Sequence, residues 1–205
     1  MKVKAPIFLL LFFFPLFLYA SFLEYLDVEI KTNYDLLDEF ELSGTDSIYP
    51  PSGNPTNTLS FSLELLANYK KLAFGGGTTY QIPTYHSAFG DFHFIPIYFL
   101  AKLKLVENSK DQSIYLLYNL GRNHHLGTFD YKGSADLSDG QYTAFGIGFN
   151  LGEFFVVELA QKKNTGKRKN EKVGSNIYNM DVDYSTISIS FGIKNSLSHF
   201  FRNYY

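Results

Sequence analysis

From residue 25 onward, apolar and polar positions alternate with a period of two, the side-chain period of an extended strand with unlike faces. The first stretch sets Leu26, Val28, Ile30, Thr32 and Tyr34 against Tyr25, Asp27, Glu29, Lys31 and Asn33. The second sets Leu59, Phe61, Leu63, Leu65, Ala67 and Tyr69 against Ser60, Ser62, Glu64, Leu66 and Asn68. The chain reverses at Lys70 and Lys71 into a third, where Leu72, Phe74, Gly76, Thr78 and Tyr80 alternate with Ala73, Gly75, Gly77 and Thr79. A fourth alternates Ile95, Ile97, Phe99, Ala101, Leu103 and Leu105 with Pro96, Tyr98, Leu100, Lys102 and Lys104. A fifth runs over Ile114–Gly121, a sixth over Tyr142–Leu151, a seventh over Phe155–Ala160 and an eighth over Tyr184–Ile193.

The connections between these segments alternate long and short. The long ones run from Leu37 to Asn57, Gln81 to Asp91, Arg122 to Gly140 and Lys162 to Met180. Eight strands with this asymmetry form the pattern of a small transmembrane barrel, with short turns on one side and long loops on the other. An open sheet with an apolar outer face would leave unpaired edges in hydrocarbon, so the pattern predicts closure. The expected fold is therefore an all-β, eight-stranded, antiparallel up-and-down transmembrane barrel.

A soluble lipocalin-type barrel also has eight alternating strands, but with the apolar face inward around a ligand. Here the apolar set is broad, and the opposite set carries Glu29, Lys31, Glu64, Lys102, Lys104 and Glu158. Eight strands leave an interior just wide enough for side chains. These six residues are accordingly expected to fill it as ion pairs, since a buried charge without a partner costs several kcal/mol. A narrow pore is the alternative use of the same inward charges.

The N-terminus reads as an export signal. Lys2 and Lys4 precede an apolar stretch from Pro6 to Leu18, with small residues at Ala20 and Ser21 where a signal peptidase would cut. The stretch is shorter than the ~20 residues that span a bilayer as a helix, and Pro15 interrupts it. The expected organisation is a signal peptide over residues 1–20 and a barrel over 21–205. The longest later apolar run, Phe94 to Ala101, ends at Lys102, too short for a helical span. The chain has no cysteine, hence no disulfide framework. A net charge of −2 argues against a nucleic-acid partner, which a basic excess would attract.

The glycine-alternating segments Phe74-Gly75-Gly76-Gly77 and Phe145-Gly146-Ile147-Gly148-Phe149, the segment Ile95-Pro96-Ile97-Tyr98 and the stretch Tyr184–Ile193 resemble the OmpA-like, OmpX-like and opacity-protein-like outer-membrane barrels of bacteria. The likeness covers the mature chain and lies in pattern, not in a catalytic signature. It implies an integral outer-membrane location, contact with outer-membrane lipid, and delivery by the assembly machinery, which reads a terminal aromatic closing the last strand. Here the last alternating strand ends near Lys194, and a tail over 195–205 follows. Either the strand runs on irregularly through this tail, or its aromatics Phe200, Phe201, Tyr204 and Tyr205 lie at the periplasmic interface in an aromatic girdle, the second being the expectation.

Catalytic chemistry finds little support. A barrel that deacylates lipid needs a histidine and a serine two apart on one face; His86 and Ser87 are adjacent and would face opposite sides of a strand. His124 and His125, with Asp130 and Asp136 nearby, lack a second pair at metal-ligand spacing. The glycines at 75–77 have neither the lysine nor the helix of a phosphate loop. No catalytic residue, cofactor or metal site is expected. A structural or surface-interaction role is expected, ahead of a pore or a lipid-modifying enzyme.

Charge is unevenly distributed. Between Ser21 and Thr58, eight acids face Lys31 alone, whereas Lys162 to Lys172 holds six bases against Glu171. Lys167, Arg168 and Lys169 are thus candidates for binding an extracellular polyanion or host surface ligand. The other reading is that the basic segment pairs with the acidic first loop beside it.

Overall fold

The computed structural model describes residues 25–43, 57–82, 84–86, 90–92, 94–108, 112–125, 136–173 and 176–197. The proposed signal peptide with its Ala20/Ser21 junction, and the tail beyond residue 197, lie outside these. Among the described residues there are eleven strands: β1 (Leu26–Ser43), β2 (Thr58–Tyr69), β3 (Leu72–Gln81), β4 (Thr84–His86), β5 (Gly90–Phe92), β6 (Phe94–Glu107), β7 (Ser113–His125), β8 (Asp136–Ser138), β9 (Gly140–Leu151), β10 (Phe155–Val173) and β11 (Asn176–Ser196). Eight of them form the wall in the order β11-β1-β2-β3-β6-β7-β9-β10, and β10 pairs back onto β11. The sheet is therefore closed, and all its pairings are antiparallel.

Closure divides the side chains by parity. Outward positions such as Ile30, Leu63, Phe74, Ile97, Phe99, Phe145, Phe191 and Ile193 are more than half exposed. Inward positions such as Glu29, Asn33, Glu64, Leu100, Tyr115 and Ser188 are buried. This inverts a water-soluble domain, whose polar residues face out. The short connections are tight: Lys70 turns the β2–β3 hairpin with a positive φ of 54°, and Gly152 opens the β9–β10 turn at 76°. In the third, the amide of Asn108 donates to the carbonyl of Gln112 at 2.9 Å.

At the opposite end, several segments expected as loops are strand. β1 continues nine residues past Tyr34, still paired with β11 up to Ser43↔Asp181. The segment from Lys162 to Met180 is a hairpin in which β10 and β11 pair as far as Val173↔Asn176. From Lys163 to Val173 that hairpin extends the sheet by about 33 Å. The connection after β3 carries the small β4–β5 hairpin, and β8 pairs with the β10 extension at Lys167–Lys169. Backbone pairing persists here without apolar alternation, because beyond the apolar belt both faces can be polar.

One ladder is incomplete. β2 pairs with β3 up to Ser60↔Gln81, but β6 pairs with β3 only as far as Thr78↔Ile97. Pro96, which has no N–H to donate, stands at the next position of β6.

Candidate functional site

The interior is filled by side chains from every wall strand, and its lower half is an ion-pair network. Lys31 Nζ lies 2.7 Å from Glu64 and 2.6 Å from Glu158, and Lys102 Nζ lies 2.6 Å from Glu29 and 2.8 Å from Glu158. Lys102 also stands 3.4 Å from the second oxygen of Glu64. Ion pairs this deep persist because both charges are paired and hydrogen-bonded; removing one partner strands the other.

Two tyrosines complete the network. Tyr98 donates to Glu64 at 2.9 Å and Tyr115 donates to Glu158 at 2.7 Å, while Lys102 Nζ sits 5.0 Å from the centre of the Tyr115 ring. Each ring lies over a glycine on the neighbouring strand, since a Cβ at Gly77 would meet Tyr98 and one at Gly148 would meet Tyr115. Gly192 clears the stem of Lys31 in the same way. The near side-chain-free inner face of β3 and β9 is thus the space that large residues of β6 and β7 occupy.

A second polar layer lies above. Lys162 pairs with Asp35 at 2.9 Å, Ser60 donates to Asp35 at 2.7 Å, and the Gln81 amide donates to the Tyr184 hydroxyl at 3.1 Å. Phe94 stacks on Tyr184 with ring centres 5.9 Å apart. Between these groups remains a cavity of about 20 Å³, room for a single water molecule.

Of the six charged residues expected inside, Glu29, Lys31, Glu64, Lys102 and Glu158 meet in one cluster. Lys104 does not. It lies at the short-turn end of β6, partly exposed, and pairs with Glu107 at 2.7 Å. Asp35 and Lys162 form an interior pair that the sequence reading left at the edges of loops. Their parity with Lys31 and Glu158 is the signal that marks them. Oxygens of Glu29, Glu64 and Glu158 lie within 4.8 Å of one another, close enough for a metal. The two ammonium groups already lie against them, so a cation there would meet Lys31 and Lys102.

At the outer rim, Lys167 is exposed and lies 3.3 Å from Asp181, and Lys163 lies 3.3 Å from Asp183. The partners of these bases are therefore acids on the facing strand of the same hairpin. Arg168 and Lys169 are strand residues of β10, paired with Leu137 and Asp136 of β8. His124 contacts Asp139 at 3.1 Å. His86 lies in β4, and Ser87 falls outside the described residues.

A closed, antiparallel, eight-stranded barrel with an apolar outer face and a packed polar interior has the fold of the small outer-membrane barrels. Among solved structures, the chain is similar to the outer membrane protein OprG from Pseudomonas aeruginosa, at 14% identity and a TM-score of 0.56 over 83% of this chain and 95% of that one. It is likewise similar to the outer membrane protein AlkL, solved in DMPC lipid bilayers, at 12% identity and a TM-score of 0.54 over 82% of this chain and 88% of that one. No protein-family model and no curated protein sequence matches the chain.

Proposed function

We propose that the protein resides in the bacterial outer membrane as an integral barrel with a structural and surface-interaction role, without catalysis. The observation that carries this reading is the combination of a lumen filled by paired charges and a β10–β11 hairpin that outruns the rest of the wall. The belt of exposed Leu, Ile and Phe supports the membrane location, because exposed apolar surface on this scale needs a hydrocarbon partner. A filled lumen weighs against the pore reading. The extended hairpin, with β8 alongside it, offers polar backbone and charged side chains to the cell exterior. Fractionation of native cells with surface proteolysis tests the proposal. The expected result is recovery in the outer-membrane fraction with cuts confined to the outward connections; recovery in the soluble periplasm would overturn it.

For the surface ligand we propose an anionic polymer held by Lys167, Arg168 and Lys169. The pairing of Lys167 with Asp181 supports the competing role of these bases in ordering the hairpin. Replacing all three with Ser separates the two. Loss of salt-sensitive heparin binding with unchanged protease resistance supports the ligand role. Faster cleavage of the hairpin with heparin binding intact assigns the bases to structure instead.

A further inference from the structure

The lipid-facing surface of the barrel is paved mostly with large side chains, and among the described residues Gly76 is the one strand glycine that faces outward. On β3, Gly76 points outward, flanked in register by Leu65 of β2 and Phe99 of β6, and Phe99 is followed by Leu120 of β7. The row above it reads Leu63, Thr78, Ile97, Arg122. The missing side chain leaves an open, predominantly apolar groove of about 790 Å³, bordered by Leu63, Leu65, Ile97 and Phe99 and reaching Arg122 and His124. A glycine in a strand interior weakens the strand and often marks a close approach by another group. Here no neighbouring part of the barrel requires it: a Cβ at Gly76 would meet only the Tyr98 carbonyl, at an ordinary 3.6 Å. This sets Gly76 apart from Gly77 and Gly148, whose hydrogens make room for tyrosine rings.

The end of the groove is charged. Arg122 is exposed and outward-facing, about 7 Å beyond the Leu120 row towards the outer rim. Among the described residues it makes no ion pair, although Asp139, Asp181 and Asp183 share the depression on its far side. An arginine near a headgroup layer prefers a phosphate, which its planar fork can engage with two hydrogen bonds.

We propose that this groove seats one phosphate-bearing lipid of the surrounding bilayer, its acyl chain lying over Gly76 and its anionic headgroup held by Arg122. The apolar length and the single cation at one end match an anionic amphiphile; a tail without a charge would fill the groove but gain nothing at Arg122. The inference rests on the membrane location proposed above and adds a specific site on the barrel wall.

The test uses the full barrel in phosphatidylcholine nanodiscs carrying spin-labelled phosphatidic acid or, in parallel, spin-labelled phosphatidylcholine. The expected result is an immobilised component favouring phosphatidic acid by about fivefold, the factor that one cation near a lipid surface supplies. Arg122→Gln should bring that preference to unity. Gly76→Leu should likewise abolish the preference for phosphatidic acid while leaving the barrel folded, and Phe191→Leu, a lipid-facing control, should leave the preference unchanged. A preference retained in either Arg122→Gln or Gly76→Leu, or absent from the unmodified barrel, would overturn the site while leaving the membrane location standing. Failure of the unmodified barrel to enter the bilayer would overturn both.

Discussion

Tyr115 donates its hydroxyl to Glu158 directly across Gly148. Tyr98 does the same to Glu64 across Gly77, so one arrangement of tyrosine, glycine and glutamate appears twice in the wall. The glycine is the middle strand's contribution: only a residue without a side chain lets the ring reach the carboxylate beyond it.

Adding a methyl group at Gly148 should therefore force the Tyr115 ring off its partner. Gly148→Ala should destabilise the barrel by about 1–3 kcal/mol, the usual cost of overpacking. In a Tyr115→Ala background the same change should cost much less, because the colliding ring is gone. Urea titration of the refolded barrel in lipid vesicles measures the cycle, and simple additivity of the two changes would refute the coupling.

The two lysines of β6 should behave differently although they lie two residues apart. Lys102 is central to the buried network, so Lys102→Met, which strands Glu29 and leaves Glu158 with Lys31 alone as its cation, should cost about 3–5 kcal/mol. Lys104 pairs with an exposed glutamate, and Lys104→Met should cost under about 1 kcal/mol. Equal costs in the same titration would contradict the assignment of Lys104 to the rim.

Arginine scanning of the outer face should reveal the bilayer. Phe99 lies in the middle of the wall and Tyr69 at the short-turn edge. Phe99→Arg should cost about 2–4 kcal/mol in vesicles and Tyr69→Arg about 0–1 kcal/mol, since the penalty falls with distance from the midplane. Leu63 and Ile97, both outward and more than half exposed, should follow Phe99. A cost independent of position would argue that the belt does not meet hydrocarbon.

A filled interior has an electrical consequence. Reconstituted in a planar bilayer, the barrel should pass no steady ion current, because the Lys31–Glu158 and Lys102–Glu158 pairs close its cross-section. Well-defined single-channel steps would restore the pore reading.

Most of the wall was legible in the sequence because one face of each membrane-crossing strand had to be apolar, and period two then named the other face. That reasoning reached the cluster of Glu29, Lys31, Glu64, Lys102 and Glu158. It stopped where the apolar requirement stops. Leu37–Ser43 and Lys163–Val173 lie beyond the belt, carry polar residues on both parities, and read as loops although their backbones remain paired. Asp35 and Lys162 fell at this boundary, Asp35 between the first strand and its loop and Lys162 at the start of the last loop, despite sharing inward parity with Lys31 and Glu158. Lys104 failed in the opposite direction: its parity is inward, but the barrel ends before its side chain is enclosed. Parity gives direction, whereas depth depends on where the wall stops. The roles of Tyr98 and Tyr115 depended on register, because only the pairing of Tyr98 with Gly77 and of Tyr115 with Gly148 shows which glycine each ring covers.

The inward placement of charge also bears on how such a chain travels. In water, Glu29, Lys31, Glu64, Lys102 and Glu158 are already well solvated, and nothing drives them together before the outer face has left the aqueous phase. Hydrophobic collapse would instead bury Leu63, Ile97 and Phe99 against each other, turning the sheet inside out relative to its final form. The closed barrel is therefore the stable arrangement only once hydrocarbon surrounds it. In a chain built this way the interior ion pairs and the apolar belt are stable only together, each requiring the surroundings that the other supplies.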